Sequence, residues 1–177
     1  DWSMGGNAGT SPAANYLGTT DHVTLTFKVN NTVALRLIPT NYTPNLIGGA
    51  SDNLVMPNVY GATIGGGGFN GGFEQRVINN YGTIGGGTNN WAGEIAFVGG
   101  GSTNRAVASG AVVGGGIYNE ATAAGAVVVG GGWDGQAVMG NQANGIASII
   151  GGGQKNVVGA DGNYGVIGGG FSNTATN

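Results

Sequence analysis

The stretch VVGGGIYNEATAAGA runs from Val112 to Ala126, and VVGGGWDGQA begins again at Val128. A phosphate-binding glycine loop is needed once, followed by Lys-Ser/Thr and a helix. Here the pattern recurs about eight times without either. Aligned on their glycines, the copies are Leu46-Ile47-Gly48-Gly49, Thr63-Ile64-Gly65, Thr83-Ile84-Gly85, Phe97-Val98-Gly99, Val112-Val113-Gly114, Val128-Val129-Gly130, Ile149-Ile150-Gly151 and Val166-Ile167-Gly168. The first glycines are separated by 17, 20, 14, 15, 16, 21 and 17 residues, as expected for a short repeat carrying insertions.

Asn marks the same register three positions past the glycines, at Asn53, Asn70, Asn90, Asn104, Asn119, Asn156 and Asn173, with Gly135 as the exception. Ala often follows two places on, at Ala92, Ala106, Ala121, Ala137 and Ala175, and a further Gly precedes the next strand. No apolar 3.6-residue spacing survives the glycines, and Val-Val and Ile-Ile pairs favour strand. The sequence therefore predicts an all-β fold, a parallel β-roll or β-helix solenoid over 46–177. Its interior holds the second apolar residue of each pair, and the Asn series forms a ladder of stacked amides.

Adjacent strand residues point to opposite faces. The first members, Leu46, Phe97, Val112, Val128, Ile149 and Val166, are thus expected outside, with Thr63 and Thr83 the polar exceptions. A long outward apolar stripe marks an interface, and a coil of about 14 residues encloses too little core to stand alone. Identical chains meeting stripe to stripe answer both points, and cyclic symmetry follows.

Residues 1–45 differ. Val23, Leu25, Phe27 and Val29 alternate with polar residues, Asn30-Asn31-Thr32 reads as a turn, and Val33 to Ile38 as a second strand. This β-hairpin is expected to cap the first coil, whose open edge would otherwise invite aggregation.

GNAGT (Gly6–Thr10), NYLGTTD (Asn15–Asp21), LTFKVNN (Leu25–Asn31) and ALRLI (Ala34–Ile38) resemble a segment common in bacterial surface-fibre and phage tail-fibre proteins, many of which end in an endosialidase-type intramolecular chaperone. The repeats resemble the head repeats of trimeric autotransporter adhesins of the YadA type. The resemblance implies a parallel β-roll, a homotrimer and a location at the bacterial cell surface or, alternatively, on a virion. The family often has Ser where this chain has Asn, and its step is more regular. Bacterial and phage origins both stay open.

Composition narrows the chemistry. The chain has 177 residues, 41 of them Gly, no Cys, one His and a net charge of −3. Without a basic run it carries no nucleic-acid footprint, and without Cys it has no thiolate or disulfide chemistry. No run of about 18 apolar residues is present to insert in a membrane. The stretch reads as part of a longer chain. The acids Asp1, Asp21, Asp52, Glu74, Glu94, Glu120, Asp134 and Asp161 form no repeated pair of the kind glycoside chemistry uses, and His22 beside Asp21 points away from it. No catalytic residue, metal site or cofactor is expected. NNT at Asn30 and NYT at Asn41 match a glycosylation pattern too short to weigh.

The candidates for ligand binding are aromatic: Trp91, Tyr118, Trp133 and Phe171, with Phe69, each just after a glycine triplet. Such rings stack on sugars or dock on protein. The leading expectation is a non-enzymatic, trimeric extracellular fibre or adhesin segment that attaches to a surface glycan or protein receptor and is able to extend end to end. The runner-up readings are a carbohydrate-binding solenoid module and a phage receptor-binding segment.

Overall fold

The computed structural model describes residues 3, 5–11 and 13–176. Asp1, one of the eight acids, lies outside them. The chain is all-β and winds as a parallel β-solenoid of about eight turns.

Each turn contributes one short strand to each of two sheets. The first sheet stacks Leu46-Ile47, Thr63-Ile64, Thr83-Ile84, Phe97-Val98, Val112-Val113, Val127-Val128, Ile149-Ile150 and Val166-Ile167 in parallel register. The second stacks Leu54-Val55, Arg76-Val77, Trp91-Ala92, Arg105-Ala106, Glu120-Ala121, Gln142-Ala143, Val157-Val158 and Thr174-Ala175. The core lies between them. Branched side chains from the first sheet (Ile64, Ile84, Val98, Val113, Val128, Ile150) meet mostly alanines from the second (Ala92, Ala106, Ala121, Ala143). Small residues on one side let the sheets close tightly over large ones on the other, which a narrow coil requires.

Before the solenoid, β1 (Leu25–Val29) and β2 (Thr32–Ile38) form an antiparallel hairpin, and β2 pairs antiparallel with β3 (Asn45–Gly48), the first strand of the stack. Asn30 and Asn31 both take positive φ, 47° and 59°, as a two-residue turn of matching twist demands. The hairpin covers one end of the first sheet, and Arg36 Nη2 donates to the Asn53 carbonyl at 2.8 Å.

The amide ladder is present, with two members changed. It runs Asn53, Gln75, Asn90, Asn104, Asn119, Asn141, Asn156, Asn173, each backbone N–H donating to the previous side-chain oxygen at 2.9–3.0 Å. Asn70 is exposed, and Gly135 lies in a loop. Insertions around 69–73 and 133–139 move the inward amide on to Gln75 and Asn141, and the alanine that follows the latter is Ala143, not Ala137.

The glycines answer to this stack. Gly101 has φ 83°, and a Cβ there would stand 2.0 Å from the Gly116 carbonyl of the next coil. No L side chain fits such a site.

Candidate functional site

The outward stripe of the first sheet is in place except at one coil. Leu46, Phe97, Ile149 and Val166 are exposed, and Val112 is half-buried. Val128 does not belong to it: this side chain is 0% exposed and packs in the core, while Val127 points out and Val129 lies beyond the strand. The cause is the left-handed glycine. Gly131, at φ 95°, stacks under Gly153 as Gly116 stacks under Gly131, so the inward residue is three positions before it, at Val128. The glycine triplet of this coil is thus offset by one from the others.

Three residues along from the stripe runs a second column: Gly66, Gly86, Gly100, Gly115 and Gly130. Their φ lies outside the left-handed region, and an added Cβ would meet nothing nearer than 3.8 Å. At these five, neither backbone nor space within one chain demands glycine, whereas Gly152 and Gly169, which continue the column, take φ 152° and 154°.

The aromatic candidates occupy several places, not one row. Trp91 lies on the outer face of the second sheet. Arg76 and Arg105, from the strands on either side of it, hold their guanidinium carbons 4.7 and 5.1 Å from the centroid of its ring. Arg105 also pairs with Glu120 at 3.4 Å, and Arg76 with Glu74. The Arg76 bond holds the Glu74 carboxyl below its ordinary pKa. Tyr118 sits at a turn with φ 56°, in one column with Asn89, Thr103, Lys155 and Ser172. Trp133 opens the 133–139 loop, bridged to Val138 and held by the Asp134 carboxylate, which accepts the Gln136 and Ala137 N–H groups at 2.9 and 2.8 Å. Those bonds lower the Asp134 pKa. Tyr118, Val138, Glu120 and Gln142 line one shallow depression. Phe171 bridges to Gln154 in another column, and Phe69 faces Phe73 across a tight loop, ring centroids 6.3 Å apart.

A cluster that the sequence reading passed over lies near the capped end. Tyr42, Tyr60 and Tyr81 touch in succession, at 4.6 Å with planes 40° apart and at 5.2 Å edge to face. Partial burial, with Tyr81 and Tyr42 beside it, raises the pKa of Tyr60. The signal available was their spacing, one coil apart. Among the described residues, no three His, Cys, Asp or Glu side chains converge as metal ligands, and no helix is long and apolar enough to cross a membrane.

No family model, curated protein or solved structure matches the chain.

Proposed function

We propose that this chain is a rigid, self-associating segment of an extracellular fibre or adhesin, with a structural and surface-attachment role. The supporting observation is the bare glycine column. Gly66, Gly86, Gly100, Gly115 and Gly130 leave room that their own chain does not use, alongside an apolar stripe that their own chain does not cover. A second copy laid against this face would approach backbone to backbone and cover the stripe. The number three comes from the resemblance to trimeric autotransporter heads; the face itself requires only more than one copy. Location at a cell surface or on a virion rests on the same resemblance. Three copies present each weak binding site three times and raise avidity without new contacts.

The chain has no Cys, so a single introduced thiol can form only intermolecular disulfides. Val112→Cys, on the stripe beside the column, is expected to give a covalent dimer on mild oxidation, because a disulfide needs Cα atoms within about 7 Å. Ser172→Cys, on an exposed turn, serves as the comparison and is expected to form no covalent dimer. Equal cross-linking of both, or of neither, contradicts the reading.

A further inference from the structure

At the capped end a cleft of about 440 Å³ opens between the 39–44 and 56–60 loops, with His22 on its wall. This is the size range of small-ligand sites. Its walls are fixed by the chain itself. The buried Asn45 side chain donates to the Val59 carbonyl and accepts the Ala62 N–H, both at 2.8 Å. The Gly61 N–H donates to the Thr43 carbonyl at 2.8 Å, tying one loop to the other. The Thr40 hydroxyl donates to the Thr43 carbonyl and accepts the Tyr42 N–H, both at 3.1 Å. Pro39 and Pro57 stiffen the rims.

The lining is chemically specific. Among the described residues, no acidic or basic side chain other than His22 takes part. Tyr42 is 73% exposed and presents a free aromatic face above Tyr60. Asn41 and Asn58 line the opening, both exposed, with side-chain amides that bond to nothing among the described residues. Asn58 takes φ 65°, a turn conformation that Asn adopts readily. A preformed cleft with one stacking platform and free neutral donor–acceptor groups fits a ligand with an apolar C–H face and a girdle of hydroxyls. The absence of paired charge disfavours an acidic ligand. The tilted and edge-on rings, 40° and 88° between planes, form no parallel ridges of the kind that seat a polyproline helix.

We infer that the cleft bounded by Tyr42, Asn58, Tyr60 and His22 is a binding site for a neutral saccharide. It uses none of Trp91, Tyr118, Trp133 or Phe171, and it does not depend on self-association.

The test is a printed array of neutral and acidic glycans probed with the intact chain, followed by calorimetric titration with the best neutral oligosaccharide. Tyr42→Ala is expected to weaken that binding at least tenfold, and Asn58→Gly, which keeps the backbone turn but removes the amide, severalfold. Native mass and far-UV circular dichroism of both variants should match the parent, which separates loss of a site from loss of fold. No binding to any neutral glycan, binding to acidic glycans only, binding unaffected by Tyr42→Ala, or capture of a proline-rich decapeptide in place of sugar would each overturn the assignment.

Discussion

The Asn104 backbone N–H donates to the Asn90 side-chain oxygen at 2.9 Å, one coil below, while the Asn104 amide nitrogen donates to the carbonyls of Gly100 in its own coil and Gly116 in the next. The side chain thus closes its own turn and fastens the coil above, and the backbone N–H of the same residue fastens the coil below. The arrangement repeats along the stack and satisfies backbone groups that the glycine turns would otherwise leave bare.

Asn119→Ala removes the partners of the buried Asn141 N–H and of the Gly115 carbonyl, while the Gly131 carbonyl keeps the Ile117 N–H. A buried group left unpaired costs about 1–3 kcal/mol, so with two such groups a loss of about 2–3 kcal/mol is expected. Chemical denaturation of parent and variant measures it. A loss below ~1 kcal/mol would show that water replaces the ladder.

Adjacent glycines should behave in opposite ways. Gly101→Ala places a Cβ 2.0 Å from the Gly116 carbonyl at φ 83° and is expected to disrupt the coil, seen as loss of β signal in far-UV circular dichroism and a lower melting temperature. Gly100→Ala meets nothing nearer than 3.9 Å within the chain. It should leave the coil folded and impair assembly.

Ile95 takes φ 52° with 63% of its surface exposed, in the turn position that Gly110 and Gly125 hold one and two coils on. A β-branched residue in the left-handed region is strained by about 1–2 kcal/mol. Ile95→Gly is expected to raise the denaturation midpoint, the gain reduced by the greater backbone entropy of glycine when unfolded. A lower midpoint would mean that the exposed Ile95 side chain is covered in the assembled protein.

The Arg76 bond holds the Glu74 carboxyl below its ordinary value of 4.5 in the folded chain. A depressed folded-state pKa gives stability that is present above the unfolded value and disappears as pH falls through the folded one. The melting temperature of the parent should therefore exceed that of Glu74→Gln near neutral pH, and the difference should shrink on acidification below 4.5. A difference independent of pH would assign the effect to packing.

Much of the solenoid is legible in the sequence because the inward column is written in branched residues at Ile64, Ile84, Val98, Val113 and Ile150, and because Asn recurs beside the left-handed glycines. The places that misread share one cause. Val127-Val128-Val129 offers two equally apolar pairs, and only the stacking of Gly131 beneath Gly153 decides that Val128 goes inside. Asn70 and Gly135 fit the count by chance, since loops inserted after the glycines carry the chain outward before Gln75 and Asn141 return to the ladder. The aromatic residues were ordered by distance from the glycines, whereas the structure orders them by column: Trp91 on the second sheet, Tyr118 at the turn, Phe171 one position earlier. The Tyr42–Tyr60–Tyr81 contact joins the turns just before three successive strands of the first sheet, where variable turn length blurs the register.

The native mass of the intact chain, by light scattering after size exclusion, tests self-association most directly. A mass of three chains that holds on dilution is the result expected if the stripe through Leu46, Phe97, Val112, Val127, Ile149 and Val166 and the adjoining glycine column are covered by further copies. A monomer at all accessible concentrations would contradict it, leaving the stripe open to water and the glycine column without a neighbour.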